Sequence, residues 1–315
     1  MRAIQISELG GPEVLTMAEL PDPQPGPGQL LVDVTAVGVN YADTHVTEGS
    51  YLSRTELPVV PGAEVVGRTA DGRRVLALSG SGAYAEKAVV PEALTLDLPE
   101  GIGDGEALAL LAQGLSAWHM LRSSARVRPG ETVVVNAAAG GVGSLAVQLA
   151  KVFGAGRVIA TASSPEKREL ALKLGADAAV DGAAEGYAER VVEANGGRKV
   201  DVVLDAVGGA VFDAAQQALA PFGRLVTFGA ASREAGSPVD PVRIMKRNIA
   251  VVGFWLTPIL GTPGMYREPM AELLQLAVDG IIHPIVGGEY PLADARRAHE
   301  DLRARRTTGK LVLRP

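Results

Sequence analysis

Residues 136–150 (NAAAGGVGSLAVQLA) carry the spacing Ala138-x-Gly140-x-x-Gly143. A strand-to-helix turn of such small residues lets the backbone approach a pyrophosphate and lets the helix lie close on the strand. The helix then offers its positive N-terminal end to the phosphate. Plain strand-to-helix turns use similar spacing, so the context decides. A β-branched run, Thr132–Asn136, precedes the turn, and helical spacing over Val142–Phe153 follows it. The next strand ends Ile159-Ala160-Thr161-Ala162-Ser163, without the Asp or Glu that would read a ribose 2′-hydroxyl. Ser163, Ser164, Lys167 and Arg168 follow. A carboxylate repels a 2′-phosphate, whereas hydroxyls and a cation accept one. The segment therefore predicts NADPH as coenzyme. The alternative is that the serines only cap the next helix and Lys167 is a solvated charge.

Other chemistries lack their residues. The chain has no Cys, which removes a thiolate nucleophile, a disulfide framework and a Cys₄ zinc site. His45, His119, His283 and His299 show no H-x-x-x-H pairing, so no metal site is expected. No G-x-S-x-G elbow, H-E-x-x-H or Gly-Lys-Ser/Thr phosphate loop occurs. The net charge of −6 and 4% aromatic content disfavour a nucleic-acid partner.

The elements that position the turn can be placed by periodicity. Strands are expected at Leu30–Val39, Arg74–Leu78 and Ala85–Val90, separated by Gly/Pro turns, which suggests a β-rich, partly barrel-like unit. From about Leu115 strand and helix alternate. Strands at Arg157–Thr161, Val200–Asp205, Gly223–Phe228 and Ala250–Phe254 flank helices at Pro165–Leu174 and about Val211–Leu219. That alternation predicts a doubly wound parallel sheet. Two helices, near Pro269–Asp279 and Leu292–Arg303, lead to a last strand at Lys310–Leu313. The tail is expected to return to the first domain. With 315 residues, two domains are the better expectation: residues 1–115 with 256–315, and an inserted 116–255. No secretory leader is read at the N-terminus and no apolar run suits a membrane span, so a cytoplasmic enzyme is expected.

Several ordered blocks together resemble the medium-chain dehydrogenase/reductase superfamily, in its zinc-independent quinone oxidoreductase branch. They are VTAVGVNYADTHVTEGSY, LPVVPGAEVVG, LLAQGLSAWHML, AAAGGVG, ATASSPEK, DVVLDAVGG, GRLVTFGAAS and TTGKLVL. The resemblance implies an α/β fold: a GroES-like, β-rich catalytic domain plus an inserted Rossmann domain that binds NADPH, with a cleft between them. It implies that Gly140, Gly141, Val142 and Gly143 hold the pyrophosphate and that Thr161, Ser163 and Lys167 surround the adenosine phosphate. Phe228 and Gly229 would lie near the nucleotide, and Phe254 and Trp255 near the nicotinamide. Positions that hold zinc in related alcohol dehydrogenases are similar to Asn40, Ala63 and Gln113 here. Asn40 and Gln113 become candidate cleft amides, with structural hydrogen bonding as the alternative. Tyr51 matches the proton-donating Tyr of similar enoyl-thioester reductases, although water could replace it. A homodimer joined near Val251–Phe254 is also implied. In relatives that bind the 2′-phosphate with a Tyr after the third strand, the matching residues here are Asp181-Gly182. The expected activity is hydride transfer from NADPH to a quinone without metal. An enoyl-thioester or enone reductase is the near alternative, and a non-catalytic NADPH-binding sensor or structural protein the distant one.

Overall fold

The β-branched run becomes the strand Thr132–Val135, buried along its whole length. Each Val so buried contributes about 1.5–3 kcal/mol. It lies inside a six-stranded parallel sheet ordered Ala178–Asp181, Arg157–Ala162, Thr132–Val135, Val200–Asp205, Leu219–Thr227, Ala250–Gly253. Numbered along the chain, that order is 3-2-1-4-5-6, the doubly wound arrangement of dinucleotide-binding domains. Helices Gly141–Val152, Pro165–Lys173, Tyr187–Ala194 and Gly209–Ala218 link successive strands. Ser164 caps the second of these by accepting the Lys167 amide at 3.3 Å, with Pro165 at the first helical position.

The computed structural model describes residues 1–315 and divides into two units: Met1–Ala112 with Thr262–Pro315, and Gln113–Gly261. The first unit centres on the eleven-residue strand Gln29–Val39. Glu64–Thr69 pairs with it on one side and Lys310–Arg314 on the other, both antiparallel. The returning C-terminal strand thus sits beside the first long strand, with Leu311 opposite Val39. Val32, Val37, Val65, Val75 and Leu311 form the core of this unit. Gln113, read from the sequence as the catalytic domain's residue, falls in the second unit. The helical run from Asp104 to Ser124 passes through π-helical turns at 109–114 and 120–124 and carries it there.

A polar network is sealed inside the first unit. The Tyr84 hydroxyl donates to Asp43 Oδ2 at 2.9 Å, and His299 Nε2 lies 3.0 Å from the same hydroxyl. With the tyrosine proton directed at Asp43, Nε2–H is the donor to Tyr84. The His299 Nδ1 is buried without a partner. Burial, with a smaller push from Arg303, lowers the His299 pKa to about 4. The unfolded imidazole takes up its proton below pH ~6.5. As pH falls from about 6.5 to about 4, the unfolded state gains a proton that the folded state refuses, so stability is lost in that window. Asp43 acts in the opposite sense. Burial raises its pKa to about 6, so its contribution falls as pH rises from its unfolded value toward about 6. His299→Gln keeps an amide donor for Tyr84 and removes the titration. We expect wild type to lose roughly 2 kcal/mol more than this variant between about pH 7 and about pH 5. Urea unfolding at the two pH values measures this, and parallel losses in both proteins would refute the assignment.

Candidate active site

The phosphate turn is a strained bend braced from below. Ala137 has φ 51°, a left-handed conformation uncommon outside glycine. The Ala138 amide donates to Thr161 O at 3.0 Å and the Gly140 amide to Ala137 O at 2.9 Å. Helix hydrogen bonding begins with Ser144 N to Gly140 O. The amides of Gly141, Val142 and Gly143 therefore lie at the open end of a twelve-residue helix. A Cβ on Gly143 would collide with Ala137 O and stand 2.8 Å from Ala138 Cα. A Cβ on Gly141 would collide with the Gln113 side chain. Gln113 is thus placed against the glycine-rich turn.

Thr161 lies in a polar network under the bend. It is buried, and its hydroxyl donates to Asn136 Oδ1 at 2.9 Å. The Tyr187 hydroxyl donates to the same oxygen at 2.6 Å, and Asn136 Nδ2 donates to Asp205 at 2.9 Å. Asp205 in turn accepts the amides of Val207 and Gly208. Burial raises its pKa, against those hydrogen bonds. This network ties the ends of the strands beneath the bend. It fixes the bend's height from within the sheet.

Beyond the second strand, Ser163 is exposed and Lys167 half-buried. Arg168 Nη1 donates to Ala162 O at 3.1 Å and to Asp181 Oδ2 at 3.2 Å. The acid missing from the second strand tip thus stands on the third, neutralised by a guanidinium. Phe228 is held by its amide on Asp205 O and Phe254 by its amide on Thr227 O, both at strand ends of the same sheet. Gly229 follows Phe228 with its Cβ position 2.9 Å from Ala206 O, and the Phe254 ring stacks on His119. Trp255 is half-buried beside Phe254.

In the first unit, Asn40 ends the central strand and precedes helix Tyr41–Glu48. Its backbone amide donates to Asp43 Oδ2 at 2.8 Å. Its side chain belongs to a cluster that sequence reasoning did not find. Asn40 Nδ2 donates to Glu64 Oε1 at 2.7 Å, and Lys310 Nζ donates to Asn40 Oδ1 at 2.9 Å and also to Glu64. The Lys310 and Glu64 side chains are 0% exposed. Charges inside the apolar blocks GAEVVG and GKLVL were the available signal, because Lys and Glu are almost never fully buried unless paired. Tyr51 lies half-buried just past that helix, where Gly49 turns the chain at φ 68° and Ser50 returns its amide to His45 O.

A GroES-like unit carrying a buried amide cluster and a Rossmann unit carrying a glycine-rich strand-to-helix bend define an oxidoreductase of the medium-chain dehydrogenase/reductase class. Residues 26–100 match the family model "Alcohol dehydrogenase GroES-like domain", and residues 141–276 match "Zinc-binding dehydrogenase". The chain is 37% identical to a quinone oxidoreductase of Pseudomonas aeruginosa, over 100% of this chain and 99% of the relative. It is 32% identical to a 2-haloacrylate reductase of a Burkholderia species, over 99% and 98% of the two chains. The quinone oxidoreductase of Thermus thermophilus, whose structures include a complex with NADPH, superposes with TM-score 0.90 at 42% identity and covers 100% of both chains. The chain belongs to the medium-chain dehydrogenase/reductase superfamily, quinone oxidoreductase type. No helix is long and apolar enough to cross a membrane.

The zinc of the matched family description does not fit these residues. No group of three or more His, Asp or Glu side chains is arranged to hold a metal, and the chain has no Cys. Around Asn40 the place of a cation is taken by the Lys310 ammonium.

Proposed function

We propose that the protein oxidises NADPH and delivers the hydride to a quinone without a metal. The amides of Gly141, Val142 and Gly143 would hold the diphosphate, with Ala138 and Gly140 shaping the bend. Ser163 and Lys167 would take the 2′-phosphate, and Phe228, Gly229, Phe254 and Trp255 would flank the rest of the coenzyme. The reduced nicotinamide supplies the hydride. Addition to a quinone leaves an oxyanion delocalised over a conjugated ring. A hydrogen-bond donor stabilises such a charge, whereas an isolated ketone leaves a localised alkoxide that needs a Lewis acid or a strong proton donor. Asn40 is the donor in this reading, and Tyr51 holds the proton that completes the reduction. The observation that carries it is the Asn40 cluster, a carboxamide held by Glu64 and Lys310 with no set of metal donors around it. The Thermus and Pseudomonas relatives support it further.

Enone reduction is the second reading, favoured by the 2-haloacrylate reductase among the relatives. Both acceptors accumulate charge on an oxygen, so one site could serve either. Strand Ala250–Gly253 pairs on one side only and leaves an edge open for a second copy of the chain, which is our proposed homodimer contact.

Steady-state NADPH oxidation against ortho- and para-quinones, enones and acyl-thioesters, after exhaustive chelation, tests the proposal. Quinones should give the highest kcat/KM, undiminished by chelation. Turnover confined to acyl-thioesters or enones would replace the first reading with the second. Activity that disappears with the chelator would overturn both.

A further inference from the structure

We propose that Lys310 and Glu64 are positioning residues that hold the Asn40 carboxamide in one orientation and so present its N–H edge to the reducible oxygen. The inference rests on the proposed role of Asn40 as the donor.

The placement begins with strand order. Gln29–Val39 lies between Lys310–Arg314 and Glu64–Thr69. Val312 pairs with Gly38 on one side, and Val65 pairs with Val37 on the other. Lys310 and Glu64 therefore start the two neighbouring strands at the level where the central strand ends. They reach each other only because Gly38 has no side chain. A Cβ there would stand 2.6 Å from Lys310 Cε and 2.8 Å from Glu64 Cδ. Glu64 is anchored from behind, since its Oε2 accepts the Ala112 amide at 3.1 Å. Its Oε1 is left for Asn40 Nδ2 and Lys310.

An asparagine amide is close to symmetric in shape, so packing alone cannot choose its orientation. Charge can. The ammonium bonds only an acceptor and the carboxylate only a donor. Lys310 thereby fixes Oδ1 and Glu64 fixes Nδ2, with the two ions 0% exposed and sheltered from competing water. A cation on Oδ1 also draws electron density from the amide nitrogen, which makes its N–H groups better donors to a developing oxyanion.

Glu64→Gln/Lys310→Met tests this by turning the amide over. The carboxamide that replaces the carboxylate must keep its oxygen toward the Ala112 amide, so its own NH₂ faces Asn40 and demands Oδ1 there. With the ammonium gone, the charge that held Oδ1 in place is gone with it. Both buried charges are removed together, which spares the fold. We expect kcat with quinone to fall at least about 10-fold, as loss of a single oxyanion donor does. NADPH affinity should stay within about twofold, since the change is made only in the orientation of one amide. Asn40→Ala should lower kcat in the wild type and add nothing in the double variant, because residues acting through one group are not additive. If the double variant folds poorly, isotope labelling of the four asparagines gives a second readout in the wild type. The Asn40 side-chain NH₂ signals, assigned by their loss in Asn40→Ala, should exchange slowly with solvent and shift in Lys310→Arg, which keeps the charge and moves the donor.

If Asn40→Ala lowers kcat while the double variant does not, or if the two losses multiply, the positioning role is overturned and the donor role stands. Asn40 signals that exchange at the rate of exposed amides would overturn the positioning role in the same way. If Asn40→Ala leaves kcat unchanged, the donor role fails and the positioning role with it.

Discussion

Gly143→Ala is expected to weaken NADPH binding by roughly 10- to 100-fold, the equivalent of about 1–3 kcal/mol of overpacking. Elsewhere in a helix the same change stabilises, because alanine loses less conformational freedom than glycine by about 1 kcal/mol. Here the added methyl would collide with Ala137 O and crowd Ala138 Cα. Both are backbone atoms, and they cannot swing aside as a side-chain tip would. The bend must open or the helix must retreat, and either movement carries the Gly141–Gly143 amides away from the diphosphate. Gly140 provides the contrast, since its Cβ would lie 3.2 Å from Ala137 O, a distance that a small shift relieves. Calorimetric titration should therefore rank wild type above Gly140→Ala above Gly143→Ala. Equal affinities would mean that the phosphate does not use this bend.

Lys310→Met is expected to destabilise the first unit by about 3–5 kcal/mol, because it leaves a buried carboxylate without its counter-charge. For a unit of this size that corresponds to a fall in Tm of about 10 °C. The methionine fills nearly the volume of the lysine stem, so a lost-packing explanation would give much less. Glu64→Gln added to Lys310→Met should recover most of the loss, since neutralising both partners removes the stranded charge. Differential scanning calorimetry of the two variants decides the matter. A single variant as stable as wild type, or a double variant less stable than the single, would show that the pair is not the buried ion pair described above.

The nucleotide unit is the more legible half of the chain. Its strands read as short β-branched runs because a parallel sheet is buried on both faces, and Val200–Asp205 has the bounds its sequence predicts. Arg74–Leu78 does the same in the first unit. The third strand of the parallel sheet, Ala178–Asp181, escapes periodicity because it lies at the sheet edge and its small residues are only half-buried. Helix Tyr41–Glu48 escapes for a related reason: its sequence, YADTHVTE, buries Asp43, Thr44 and Thr47 instead of an apolar stripe. At the site, local spacing exposes the glycine-rich strand-to-helix bend because its residues are neighbours along the chain. It cannot reveal Asn40–Glu64–Lys310 or Asp43–Tyr84–His299, whose members are brought together only by the returning C-terminal segment. The Thr161–Asn136 contact is not legible for a simple geometric reason. Residues alternate across a strand, and the Thr161 hydroxyl falls on the side that meets Asn136.

In the proposed complex a coenzyme phosphate meets the Gly141–Gly143 amides, with Ser163 and Lys167 beyond the neighbouring strand tip. Titration of the purified protein with NADPH and with NADH tests that most directly. NADPH should bind at least about 10-fold tighter, the worth of one charge-assisted hydrogen bond to the 2′-phosphate, and Lys167→Ala should remove most of the difference. Equal affinity for the two coenzymes would contradict the phosphate assignment, and no binding of either would contradict the whole account.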